Sequence, residues 1–101
     1  MALSSTISSD GAVVTLAVAG RFDFNIHQDF RKAYEEHGNG VKKYVIDMKE
    51  TEYMDSSALG MLLLLRDYAG GDSSDISILN GKSELKKILA IANFNKLFNI
   101  G

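Results

Sequence analysis

The spacing of hydrophobic and polar positions changes repeatedly along this chain, and each change marks an element. Leu3, Ser5 and Ile7 alternate with Ser4, Thr6 and Ser8, the period of a strand with one face on a core and the other in water. That predicts an edge strand. Asp10-Gly11 is a strong turn dipeptide, and Ala12 to Ala19 after it is β-branched and apolar on both faces. The two segments are therefore expected to form an N-terminal hairpin whose second strand is the buried one. Beyond Gly20-Arg21-Phe22-Asp23, Asn25 and Gln28 have the spacing of a capping box, and Ile26, Phe30, Ala33 and His37 recur at helical intervals. This predicts a first helix, closed by Gly38 and Gly40. Val41 to Met48, with Tyr44, Val45 and Ile46 together, reads as a central strand covered on both faces; Asp47 stands near its carboxyl end, and a loop leads on into a second helix. Gly70-Gly71 ends that helix. Ile76-Ser77-Ile78-Leu79 predicts another strand, Leu85, Ile88, Leu89 and Ala92 make one stripe of a third helix, and a short tail runs from Phe94 to Ile100. The order predicts an α/β fold: a mixed sheet starting with the N-terminal hairpin, with helices packed on it, because successive parallel strands need crossovers.

The second helix does not fit a single buried face. Leu59, Met61, Leu62, Leu63, Leu64 and Leu65 spread nearly all round its circumference at about 100° per residue. One wedge holds Ala58, Leu59, Leu62 and Leu63, the opposite wedge Met61, Leu64, Leu65 and Tyr68, and the sequence leaves open which faces the sheet. The remainder is covered by other helices, by a homodimer contact or by a partner, and leftover apolar surface on a small domain commonly marks an interaction site. Gly60 costs about 1 kcal/mol relative to Ala inside a helix, which is rationalised if another backbone or a partner comes close there.

At the mouth of this helix Asp55 reads as the N-cap, with Met54 before it and Leu59 after it at hydrophobic-staple spacing. Ser56 and Ser57 therefore fall in the first turn. One reading makes them ordinary capping residues. The other makes them a place for a phosphate, since a helix N-terminus offers unpaired N–H groups and a partial positive charge that would favour phosphoserine.

Composition narrows the function. A chain of 101 residues with 46% hydrophobic content supports one core, so residues 1–101 are expected to be a single domain. With no cysteine there is no disulfide framework and no thiolate chemistry. His27 and His37, both on the first helix by this reading, are not at metal-binding spacing, so neither a metal nor a cofactor is expected. Net charge is −2, and Lys42-Lys43, Lys82 and Lys86-Lys87 are scattered without aromatic interleaving, which argues against nucleic acid. The N-terminus from Met1 to Thr6 lacks a basic, then apolar leader, and no segment reaches membrane-span length; a cytoplasmic protein is expected. Without a Gly-rich phosphate cradle or a Ser-His-Asp elbow, no enzymatic activity of its own is expected.

Tyr53-Met54-Asp55-Ser56-Ser57-Ala58-Leu59-Gly60 resembles the signature of the STAS family, the sulfate-transporter and anti-sigma-factor-antagonist domains: an apolar residue, D-S-S, a small residue, then L-G. Gly20-Arg21-Phe22-Asp23 is similar to the family's turn into its first helix, and Ala90 to Phe94 and on to Ile100 resembles its late helix and final strand. The resemblance spans about the whole chain. It departs at Ala58, where glycine is commoner, in the last helix, which has no counterpart before Gly101, and in the apolar Leu64 and Leu65.

Small stand-alone members are typically anti-sigma-factor antagonists, so the resemblance implies a partner switch. The unphosphorylated domain would capture a serine-kinase anti-sigma factor of the GHKL ATPase type, and phosphorylation at Ser56, with Ser57 the runner-up, would release it. A phosphatase of the protein-phosphatase-2C type would reset the switch. Asp23, Asp55, Ser57, Gly60, Met61, Leu64 and Leu65 are expected to face the partner. Phosphorylation would add about −1.5 to −2 charge beside Asp55 and Asp23, opposing docking through repulsion and desolvation without refolding the domain; about 3 kcal/mol corresponds to roughly a hundredfold loss of affinity. Alternatives are a non-switching subunit of an ABC lipid transporter or a signalling scaffold, and a receiver-like phosphoacceptor in which Asp23, Asp47 and Asp55 converge around Mg²⁺. A hairpin start and a Lys82 without matching context argue against the last. A weak homodimer is the remaining partner expectation.

Overall fold

The computed structural model describes residues 3–38 and 40–101. Met1 and Ala2, at the start of the segment read as lacking a leader, and Asn39 lie outside them. In chain order the elements are β1 (Leu3–Ile7), β2 (Val13–Val18), β3 (Gly20–Phe22), α1 (His27–Glu35), β4 (Lys43–Asp47), β5 (Thr51–Met54), α2 (Ser56–Tyr68), β6 (Ile76–Leu79), α3 (Ser83–Ile91) and β7 (Asn99–Ile100).

The hairpin forms as its pattern predicts, antiparallel from Leu3 opposite Val18 to Ile7 opposite Val14. Asp10 closes the turn, its carboxylate accepting from the Ser8 hydroxyl at 2.6 Å and the Ala12 N–H at 3.1 Å. These bonds, the Ser8 one first, hold its carboxyl below the ordinary range. Gly11 takes a φ of 75° there, a conformation glycine adopts without a Cβ penalty.

The main sheet has the order β1-β2-β4-β6-β7, with β1 antiparallel and the rest parallel. From β2 onward every strand is added on the same side of the last, and each step carries a helix. Right-handed crossovers then place α1, α2 and α3 on one face. Burial follows that geometry. Val14, Tyr44 and Ile76 form one cross-strand row, Leu16, Ile46 and Ile78 the next, and all six are buried. Thr15 and Val45, paired on the reverse face, are half-buried. The expectation that the central strands are covered on both faces is thus corrected: strand order leaves one face without a helical layer. The buried side chains join in one cluster that also takes Phe22, Phe30, Met48, Leu62, Leu65 and Leu89.

The start of the first helix differs from expectation. Asp23, not Asn25, is the cap: its extended backbone sets Oδ1 3.0 Å from the Asn25 N–H, and a 3-10 turn over Phe24–Ile26 leads into α1. Ile26, the residue before α1, makes no side-chain cap. Phe30, Ala33 and Tyr34 form the buried stripe, while His37 lies beyond the helix end, before Gly38 with its φ of 73°.

Two short strands escaped the sequence reading. β3, read as a turn, and β5, read as a loop, pair in parallel as a separate two-stranded sheet, with Phe22 opposite Met54 and an irregularity between Gly20 and Arg21. At three and four residues they are too short for a period of two to register. Thr51 anchors them to the main sheet: fully buried, its hydroxyl donates to the Val18 carbonyl at 2.6 Å, and its own carbonyl accepts from Lys82 Nζ at 2.9 Å. The third helix buries Leu85 and Leu89 as expected, and the tail becomes a 3-10 turn, Phe94–Lys96, followed by β7 with Ile100 beside Ile78. Among the described residues no helix is long and apolar enough to cross a membrane.

Candidate functional site

The small sheet determines what surrounds the start of α2. Because Phe22 and Met54 are paired, the residues that follow them, Asp23 and Asp55, leave the sheet side by side. Their backbones are nearly identical, with φ and ψ of −139° and −172° for Asp23 and −125° and −172° for Asp55. Each is an N-cap. Asp55 Oδ1 accepts from the Ser57 N–H at 3.0 Å and the Ala58 N–H at 3.3 Å, a cap of the kind that stabilises a helix by about 1 kcal/mol. Met54 before it is buried, Leu59 is half-buried, and the Ala58 methyl lies fully in the core.

Ser56 is exposed and Ser57 half-buried. Since Asp55 already occupies two first-turn amides, a phosphate on Ser56 would find those donors taken. The expected support from the helix narrows to the Ser56 N–H and the axial dipole.

Asp23 is less available than the sequence suggested. Oδ1 caps the 3-10 turn, Oδ2 accepts from Arg21 Nε at 3.1 Å, and only 10% of the side chain is exposed. The Arg21 guanidinium in turn lies 3.9 Å over the Tyr53 ring, a contact across the β3–β5 pair. Asp47 does not join this cluster. Its Oδ1 accepts from Asn80 Nδ2 and the Lys49 N–H, both at 3.0 Å, and these bonds, Asn80's first, hold its carboxyl below the ordinary range. Among the described residues no three acidic or histidine side chains gather as metal ligands, so the receiver-like convergence of Asp23, Asp47 and Asp55 is not formed. Lys82 is engaged by the Thr51 carbonyl instead of an acidic pocket.

Along α2 the buried stripe is Ala58, Met61, Leu62 and Leu65, drawn from both of the wedges expected. Met61 and Leu65, counted among the partner-facing positions, are 6% and 0% exposed. That is a correction: positions spaced three, four and seven residues apart share one helix face, and this face lies on the sheet. The aliphatics left outside are Leu63 and Leu64, at 41% and 61% exposure, with Tyr68 beyond them. Gly60 is exposed and a Cβ there would meet nothing within 4 Å, so no backbone among the described residues requires it. Between α1 and α2 runs a shallow groove lined by His27, Phe30, Arg31, Tyr34, Met61 and Leu64. The exposed Phe24 ring stacks on His27 at 4.1 Å.

The family model described as "Mlab, STAS domain" matches residues 5–99. This chain belongs to the STAS family. A STAS-domain containing protein of Pseudomonas aeruginosa is 53% identical over 100 residues, covering 99% of both chains. Among solved structures, the anti-sigma factor antagonist SpoIIAA in its unphosphorylated form aligns with a TM-score of 0.76 at 16% identity, over 99% of this chain and 87% of that one. The Bacillus cell fate determinant SpoIIAA in its phosphorylated form aligns at 0.70 and 15%, over 99% and 91%. At such identities the likeness is one of fold. Within this STAS domain, sequence reasoning found Asp55, Ser56 and Leu64 at the exposed end and side of α2. It missed Arg21, Tyr53 and Phe24. The alternation of Arg21 and Asp23 around the apolar Phe22 was the available signal, hidden because the segment was read as a turn.

Proposed function

We propose that this STAS protein is an anti-sigma-factor antagonist whose docking surface is switched by phosphorylation of Ser56. Unmodified, the domain, residues 1–101 acting as one cytoplasmic unit, binds a serine-kinase anti-sigma factor through the rim around Ser56, Ser57 and Gly60 and the exposed side of α2 at Leu64. In the kinase complex Ser56 Oγ attacks the γ-phosphorus of ATP. The new O–P bond forms as the bond to ADP breaks, and the hydroxyl proton passes to a base on the kinase. The product carries about −1.5 to −2 charge beside Asp55 and Asp23, and docking is opposed by repulsion and by the cost of desolvating the phosphate. A phosphatase of the protein-phosphatase-2C type hydrolyses the ester and restores the hydroxyl.

The observation that carries this reading is the position of Ser56: an exposed first-turn residue, on the same helix as the uncovered Leu63 and Leu64, over a stripe that is packed shut. The charge therefore changes the surface without entering the core, so the backbone is expected to keep its course in both states. Affinity capture with Ser56→Ala and Ser56→Asp tests it. The alanine variant retains a kinase partner and the aspartate variant loses it. Equal capture by both removes the switch, and equal capture of a transporter ATPase assigns the domain to a non-switching subunit.

A further inference from the structure

We propose that Arg21 is the built-in receptor for the Ser56 phosphate. The inference rests on Ser56 being the modified residue and adds how the modified state is held. Arg21 is an unusual surface arginine. Its side chain is 64% exposed, yet it is fixed at two points: Nε donates to Asp23 Oδ2 at 3.1 Å and the guanidinium carbon lies 3.9 Å from the Tyr53 ring centroid. Nε is thereby used, whereas the two terminal amino groups make no hydrogen bond among the described residues. A guanidinium held over a ring, with its outer fork bare, has two amino groups free to turn toward a tetrahedral oxyanion.

Topology puts that fork on the same rim as Ser56. Arg21 is paired with Tyr53, and its guanidinium reaches along the strand to Asp23. Asp23 leaves the sheet beside Asp55, which immediately precedes Ser56. Turning inward, the phosphate meets the Ser57 and Ala58 amides already held by Asp55. Arg21 is a cation on this rim with donors to spare. Binding needs no new bond to form or break, only a swing of the guanidinium from a carboxylate to a dianion of higher charge. The swing has a second effect. Asp23 Oδ2 loses its counter-charge, so an approaching partner meets a bare carboxylate as well as the phosphate.

The test uses protein carrying phosphoserine at position 56, incorporated during translation so that no kinase is required, with Arg21 intact or changed to Gln or Lys. Phosphorus NMR follows the second ionisation of the phosphoserine. With Arg21 present its midpoint lies about 0.7 pH unit below that of Arg21→Gln, the shift expected for one opposite charge near contact in water, and Arg21→Lys recovers part of it. In the unmutated protein the Arg21 Nε–H resonance moves on phosphorylation. Equal midpoints in all three proteins, with an unmoved resonance, overturn the proposal. That result leaves the Ser56 switch itself standing, since the switch is decided by partner capture with Ser56→Ala and Ser56→Asp.

Discussion

Leu64 and Leu65 are neighbours of the same residue type on one helix, and they live in opposite environments: 61% of Leu64 is exposed and none of Leu65 is. Leu65 belongs to the stripe that closes α2 onto the sheet, and Leu64 to the side that the described residues leave largely open. Hydrophobicity alone cannot tell the two apart. What separates them is phase, about 100° of turn per residue, and the sheet fixes that phase by accepting Ala58, Met61, Leu62 and Leu65 together. The lesson is a division of labour within one helix, in which one side maintains the fold and the other is free to be selected for docking.

Truncating each side should separate those roles. Leu65→Ala opens a cavity in the packed stripe and is expected to cost about 2–5 kcal/mol of stability, read by urea denaturation. A loss under about 1 kcal/mol would mean that the stripe is not where the helix is held. Leu64→Ser should leave stability within about 0.5 kcal/mol while lowering affinity for the captured partner roughly tenfold, as truncating a central contact of about 1–2 kcal/mol does. Unchanged affinity would move the docking surface off this side. Gly60→Ala sharpens the contrast further. Nothing among the described residues occupies the space of the added methyl, so the helix should gain about 0.5–1 kcal/mol while partner affinity falls. A variant that is both more stable and equally competent would remove Gly60 from the interface.

The sequence made the long elements legible and left the short ones hidden. The hairpin, the three helices and the Ile76–Leu79 strand follow from periodicity and turn chemistry, since each repeats its pattern often enough to be counted. β3 and β5 do not, and they carry the consequence that matters for the site: by pairing Phe22 with Met54 they set Asp23 and Asp55 side by side. Asp55 as a cap was readable because cap chemistry is local, and Asp23 displaced Asn25 as the first cap for the same local reason. Arg21 and Tyr53 meet across strands thirty-two positions apart, a contact that needs the register and not the sequence. The choice of Met61 and Leu65 as partner-facing failed because nearly every position on α2 is apolar, which erases the phase that periodicity would otherwise report.

Adding every parallel strand on the same side has a practical outcome for anyone wishing to watch this molecule at work. Thr6, Thr15 and Val45 sit in one row on the side of the sheet away from the helices. Thr6 is exposed on the edge strand. A fluorophore or surface tether attached there projects from the back of the molecule, leaving the serine end of α2 unobstructed for whatever it meets.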